Sequence, residues 1–537
     1  MSFDWRAGYP SVRLPVFARN VVSTSHPLAA QVGLSLLQQG GNAVDAVIGA
    51  AAAMTILEPC SNGLGSDAFC ILWDGRELYG LNASGGAPAA WTVDYFRKKY
   101  GSSSLQPPVR GWDSVTVPGA VAGWVELSRR FGKLDFADLL APAIDIAERG
   151  YAVPVVVQEK WAAAVPDLQG LPGFAETFMP SGRAPLVSER FVFSGAAKAL
   201  TRIAQTCGAA LYGGEIAAAA AAHAAQHGGA MSVADFAGFS PEWVEPIGLD
   251  VYGHRLHQIP PNGQGIAALI ALGILKHRDV AAHAVDSAAG LHLQIEAMKL
   301  GFADTYAHVA DPIGMRRSVE EMLDPQYLER RAALIDPNRA QEFGEGHADN
   351  GGTIYLTAAD ERGMMVSFIQ SNYMGFGSGI VVPEWGLSLQ NRGHAFSLDA
   401  ASPNCVAPGK RPFHTIIPGF LTKDGLPQMS FGVMGGNMQP QGHLQTLVRM
   451  LVYGQQPQAA CDAPRWRFNQ GLSLNVEAAM PSATTRDLRA LGHQIDVIQD
   501  SYQDFGAGQF IWRLGDPALE GYVAASDPRR DGQAAGY

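Results

Sequence analysis

Asp349-Asn350-Gly351-Gly352-Thr353-Ile354-Tyr355-Leu356-Thr357 places a hydroxyl residue directly behind two glycines and at the head of an alternating, strand-like run. A threonine freed as a new N-terminus holds both halves of a catalyst: a hydroxyl nucleophile, and an α-amine whose ordinary pKa of about 7.7–8.0 suits a base near neutrality. Glycines in front of it leave the backbone free to bring the Gly352 carbonyl against the Thr353 hydroxyl. The same spacing is also that of an ordinary turn entering a strand, so the surrounding sequence has to decide.

The chain of 537 residues is 47% hydrophobic, enough for a large core. Charged residues make up only 17%, and 61 glycines with several alanine runs imply helices packed closely on sheets. The formal charge of −11 comes with no Lys/Arg cluster able to track a phosphate backbone, which argues against nucleic acid as a partner. Met1 to Gly8 lacks the basic and apolar regions of a secretory signal, so a cytoplasmic protein is expected. The longest apolar run, Ala46 to Leu57, spans 12 residues against the roughly 20 that cross a bilayer, and reads as a buried helix with no membrane partner. Cys60, Cys70, Cys207, Cys405 and Cys461 are odd in number and scattered, as expected of reduced core residues.

Hydrophobic periodicity predicts a strand over Asn20 to Ser23, helices over Leu28 to Gln39 and Ala43 to Leu57 joined by Gly40-Gly41-Asn42, and a hairpin closed by Asp74-Gly75. Residues 120–225 read as a helical lobe, Val251 to Gln258 as a strand, and Ala289 to His308 as a helix. Pro312 to Asn350 is charged and reads as an exposed tether. After it the pattern turns to strands at Thr353 to Ala358, Met364 to Gln370, Leu387 to Gln390, Thr415 to Leu421 and Gln428 to Phe431.

Several motifs then occur in one order: Gly40-Gly41-Asn42-Ala43-Val44-Asp45-Ala46, Gly63-Leu64-Gly65, Ala87-Pro88, Val117-Pro118-Gly119-Ala120-Val121-Ala122-Gly123, Glu296-Ala297-Met298-Lys299, Phe376-Gly377-Ser378-Gly379, Gly409-Lys410-Arg411-Pro412, Gly435-Gly436 and Ala463-Pro464-Arg465. Together they resemble the γ-glutamyltranspeptidase family of N-terminal-nucleophile hydrolases over most of the chain. The resemblance implies an α/β fold, a four-layer αββα sandwich, made as one precursor and cut by itself between Gly352 and Thr353. The products are a large chain, 1–352, with helical lobe and tether, and a small chain, 353–537; a higher oligomer stays open. Thr353 falls at the family's nucleophile and Gly435-Gly436 at its oxyanion hole, with Thr357 a hydroxyl partner for the nucleophile or its amine. Where the family has a second threonine and a histidine, this chain has Ile354 and Tyr355. Neither cofactor nor metal is implied.

The departures concern substrate. Transpeptidases hold the glutamyl carboxylate with an arginine where Ser84 stands, the amine with a carboxylate where Ala395 stands, and place a serine pair where Phe413-His414-Thr415 stands. A glutamyl group here would be desolvated with both charges unpaired, while Arg392, His414, Thr415 and Arg411 supply new donors; Ser371, Asn372 and Tyr373 fall at substrate-contact positions. A guanidinium binds a carboxylate by paired hydrogen bonds, so Arg392 points to a small carboxylate-bearing amide, as in the family's oxamate amidohydrolase and acylase branches. A γ-glutamyl hydrolase or transferase acting on glutathione stays open. So do a cephalosporin-type acylase with an apolar pocket from Met374, Phe376 and Trp385, and an uncut binding relative without catalysis.

Overall fold

The computed structural model describes residues 4–5, 11–343, 352–500 and 504–537. Among them, two seven-stranded antiparallel sheets lie face to face between two helical layers. Three separate apolar cores define the four layers. Val22, Ala46, Ile354, Leu356 and Phe368 pack one sheet on the first helices. Phe69, Ile71, Tyr355, Ile369, Phe420 and Ile511 fill the space between sheets, and Leu269, Ile295, Leu421 and Phe431 join the second sheet to the second helical layer. The α/β, αββα expectation is therefore met.

Strand Gly352–Ala359 runs at the centre of the first sheet, flanked by Val21–Thr24 on one side and Met365–Tyr373 on the other. All eight of its residues are buried, as a strand covered on both faces must be. Alternation sends Ile354, Leu356 and Ala358 to the helical side and Tyr355 and Ala359 to the inter-sheet side. Strands from before and after Thr353 thus interleave in both sheets. A cut at that bond would divide the chain without dividing the fold.

The first helical layer forms where local signals agree. Helix Ala43–Leu57 opens with a reciprocal capping box, the Asn42 side chain accepting from the Asp45 N–H and the Asp45 carboxylate from the Asn42 N–H. Gly41 precedes it because a Cβ there would lie 2.8 Å from the Leu36 carbonyl. The lobe is helical as expected, including Ala120–Phe131, Phe136–Arg149 and Glu215–Gln226.

Three expectations need correction. Residues 247–258 form two strands, Ile247–Val251 and His254–Gln258, because Tyr252 and Gly253 both take positive φ, 48° and 75°, and close a tight hairpin. The described part of the tether is not all exposed: helices Val319–Met322 and Pro325–Ala332 bury Met322 and Leu328 in the second core, while residues 344–350 lie outside the described residues. Cys60, Cys70 and Cys461 are buried, but Cys207 is exposed, and Cys405 partly so.

His443, in helix Met438–Leu447, ties that layer to the second sheet by accepting a 3.0 Å hydrogen bond from the Gln258 amide at Nδ1. Burial pushes its pKa down to about 3. The folded protein therefore binds one proton fewer than the unfolded chain, and the stability due to a neutral His443 is present above about pH 6.5 and lost as pH falls toward 3. Between about pH 6 and 4, urea unfolding should show the parent losing about 1.4 kcal/mol per pH unit more steeply than His443→Gln. Equal slopes would contradict this assignment.

Candidate active site

Thr353 sits at an irregularity in the ladder. Gly352 pairs with Tyr373 but Ile354 pairs with Gln370, so the partner strand carries an extra residue opposite Thr353, at Ser371 and Asn372. Such bulges re-aim side chains. Here the bulge brings the Ser371 hydroxyl 2.6 Å from the Gly352 carbonyl oxygen and 3.1 Å from Thr353 Oγ1, with the Tyr373 N–H donating to it at 2.8 Å. A serine has one proton to give. With that proton on Gly352 O, the Thr353 hydroxyl donates to Ser371, and one side chain polarises both the carbonyl before Thr353 and the hydroxyl after it.

Gly352 opens the strand, buried with the rest of it. Its lack of a side chain serves close approach: a Cβ would lie 3.0 Å from the Cys60 carbonyl oxygen and 3.3 Å from the Gly375 nitrogen. The loop after Tyr373 is held by Arg110, whose guanidinium donates to the carbonyls of Met374, Gly375 and Gly377.

Gly435 and Gly436, at φ 119° and 58°, form the turn into helix Met438–Leu447. Their carbonyls accept from the N–H groups of Met438 and Gln439, while among the described residues no acceptor takes their own N–H groups. Gln264 fixes the turn, its amide donating to Gly436 O at 3.0 Å and to Thr415 O at 2.6 Å.

A cavity of about 660 Å³ opens beside these elements, with Tyr373, Thr415, His394 and Asn437 on its polar side and Tyr306, Phe343 and Phe413 on its aromatic side. Arg392 lies directly behind the polar side. Its Nη1 donates to Thr415 Oγ1 at 2.7 Å and its guanidinium stacks 4.5 Å from the Tyr373 ring centroid. The side chain is fully buried, and among the described residues its Nε and Nη2 have no hydrogen-bond acceptor. Burial lowers its pKa to about 10, the negative Asp67 working against that shift. Burial raises Asp67 in turn to about 7, with Arg392 opposing.

Of the predicted site residues Tyr373 and Thr415 line the cavity; Thr353, Ser371, Gly435 and Gly436 stand behind its lining, next to Tyr373 and Asn437 in the fold, and His414, Ser84, Arg411, Asn372 and Thr357 do not meet it. His414 is wholly buried: Nδ1 accepts weakly from the Ile416 N–H at 3.4 Å, so Nε2 carries the proton and donates to Asp67 at 3.1 Å. Burial, and after it the Arg392 charge, hold its pKa well below the usual value. Ser84 is bonded to Asn82 and Asn262, and Arg411 turns to Glu242 and the Ser84 carbonyl. The Asn372 side chain bridges Ser66 and Ser388. Thr357, four residues along the strand, spends its hydroxyl on Val366 O and Ser430, not on Thr353. Phe376 and Trp385 belong to the first core, Phe376 packing 5.1 Å from Phe174, so the apolar wall comes from other residues.

The sequence reading missed Asp67, Gln264 and Arg110. Asp67 stands two residues after Gly63-Leu64-Gly65, a motif noted for its glycines, while Gln264 and Arg110 act across more than 150 residues and leave no local signal.

Among the described residues, His292, Glu296 and His493 are the group whose ligand atoms converge. His292 Nε2 donates to Asp336 O at 2.8 Å, so its Nδ1 accepts from His493 Nε2 at 2.9 Å; Glu296 accepts from Lys299 and from the Gln341 N–H. The converging atoms are already engaged, and the Lys299 ammonium stands where a cation would be needed. The donor set does not fit a metal. No helix among the described residues is long and apolar enough to cross a membrane.

Two facing antiparallel sheets between two helical layers, with a buried inner strand that begins at Gly352 and Thr353, define an N-terminal-nucleophile hydrolase fold. A model of the gamma-glutamyltranspeptidase family matches residues 29–537, and the chain belongs to that family. It is 35% identical to an oxamate amidohydrolase proenzyme of Klebsiella pneumoniae over 95% of this chain and 97% of that protein. It is 34% identical to the glutathione hydrolase-like YwrD proenzyme of Bacillus subtilis over 96% and 98%. The solved structure of a cephalosporin acylase from Bacillus halodurans superposes with a TM-score of 0.94 at 45% identity, covering 100% of this chain and 99% of that one.

Proposed function

We propose that the chain cuts itself between Gly352 and Thr353 and then hydrolyses the amide bond of a carboxylate-bearing amide through an ester on Thr353. The observation that carries the reading is the placement of the Ser371 hydroxyl between the Gly352 carbonyl and the Thr353 hydroxyl. In the cut, Thr353 Oγ attacks the Gly352 carbonyl carbon as its proton leaves, and Ser371 donates to the oxygen that gains charge. The C–N bond breaks with the proton going to nitrogen, and water hydrolyses the resulting ester to the Gly352 carboxylate and the Thr353 alcohol. In the two-chain enzyme the freed α-amine takes the hydroxyl proton as Thr353 attacks substrate and passes it to the leaving nitrogen. The Gly435 and Gly436 N–H groups face the oxyanion, and water completes the turnover.

The proenzyme names of the relatives support a self-cut, and the amide-cleaving relatives support the reaction. For the acyl group, a carboxylate at Thr415 would lie next to Arg392, whose Nε and Nη2 have no hydrogen-bond partner among the described residues. With Ser84 turned away and Arg411 paired to Glu242, a glutamyl group of glutathione finds no second cation at the family's usual position. The cavity lies within the roughly 300–1,000 Å³ of sites for drug-sized ligands, far more than oxamate fills. Its aromatic side favours an acylase-type substrate with a larger amine portion. The enzyme works as large and small chains of one precursor on a small-molecule amide, without a cofactor.

Thr353→Ala should run as one full-length band on a denaturing gel and release no amine from any amide. A fully cut Thr353→Ala would remove the mechanism, and an uncut parent would favour a binding relative. Ser371→Ala should slow the cut by about a hundredfold, the effect of losing one oxyanion donor; an unchanged time course on gels would take Ser371 out of the step. Arg392→Gln should raise KM about tenfold to a hundredfold for a carboxylate-bearing amide and much less for a neutral one. Equal changes for both would make Arg392 structural.

A further inference from the structure

Phe343 lines the aromatic side of the cavity, yet it lies upstream of the Gly352–Thr353 bond, near the end of what would become the large chain. Once that bond is cut, nothing covalent downstream would hold Phe343 in place. The chain just before it is instead gripped from the side. Lys299 Nζ donates to Gln341 O at 3.0 Å, and the Gln341 N–H donates to Glu296 Oε2 at 3.1 Å, so the two peptide groups that flank the Gln341 Cα are each held by one member of a buried ion pair. The Gln341 side chain accepts from the Asp336 N–H at 2.7 Å, His292 donates to Asp336 O, and the Ala340 N–H donates to Leu491 O at 2.7 Å. Glu296 and Lys299 lie on helix Ala288–His308, about one to three turns before Ala303, Tyr306 and Ala307, which also line the cavity. One rigid helix therefore carries both the grip and part of the wall.

We propose that Phe343 is a specificity residue for the apolar part of the substrate, and that the Glu296–Lys299 pair is a positioning device that keeps this end of the large chain in the cavity wall after the cut. The inference rests on the amidase reading above. It names the substrate class further: a carboxylate toward Arg392 and a flat apolar group between Phe343, Tyr306 and Phe413. Lone backbone hydrogen bonds at a free chain end fray; a residue whose C=O is bonded to a buried ammonium and whose N–H is bonded to a buried carboxylate does not, because releasing it would leave both charges desolvated without those partners.

The test compares two amides of one acid, glutaryl p-nitroanilide and glutaramate, with the purified two-chain enzyme. The ratio of kcat/KM for the anilide to that for the primary amide should fall about tenfold in Phe343→Ala, as expected for loss of one aromatic contact. The double variant Glu296→Gln, Lys299→Met should lower the same ratio. A ratio unchanged within about twofold in Phe343→Ala overturns the inference while leaving the amidase reading in place. If the parent cleaves neither amide, both fail. A second measurement needs no variant: native parent digested with carboxypeptidase and weighed by mass spectrometry should keep its large chain through Phe343. Trimming back into residues 336–341 would show that no grip exists and overturn the proposal.

Discussion

The hydrogen bond from Ser371 to the Gly352 carbonyl holds the chemistry and the architecture together. It exists because the ladder between the two central strands slips at Thr353, and the slip survives because both strands are buried on both faces and paired on their outer edges. A regular ladder would set Thr353 opposite one residue with its side chain in a packed layer. The irregular one lets a second hydroxyl reach both sides of a single peptide bond. Since the strand is pinned to Val21–Thr24 as well as to Met365–Tyr373, segments from before and after that bond would stay joined through sheet pairing if it were cut.

Behind the cavity, electrostatics follow from burial. Arg392, Asp67 and His414 are fully buried together, and the tautomer that points His414 Nε2–H at Asp67 leaves the histidine neutral. Arg392 keeps its charge, since even a pKa of about 10 lies well above neutrality. The result is a fixed positive group behind Tyr373 and Thr415, its Nε and Nη2 without acceptors among the described residues. As the proposed carboxylate anchor, this group would set the site apart from one that recognises an amino acid at both its charges.

The sequence carried the layers well, for local reasons. The capping box at Asn42 and Asp45 and the glycines before it end one helix and begin the next within a residue of the boundaries expected, and the alternation after Thr353 marks a true central strand. It carried the cavity less well. Ser84, His414 and Arg411 lie next to motif residues, but their side chains turn to Asn82, Asp67 and Glu242, and sequence proximity does not say which way a loop residue points. Arg392 and Thr415 stood out by residue type against a known pattern, and in the structure they are bonded to each other at 2.7 Å, with Thr415 on the cavity lining. Gln264, Arg110 and Phe343 did not stand out, because each acts through contacts made across the fold.

The most direct measurement is the intact mass of the purified protein under denaturing conditions. The account predicts two species that divide the 57.1 kDa chain at the Gly352–Thr353 bond, the smaller beginning with Thr353. A single species of full mass in material that turns over an amide would contradict it.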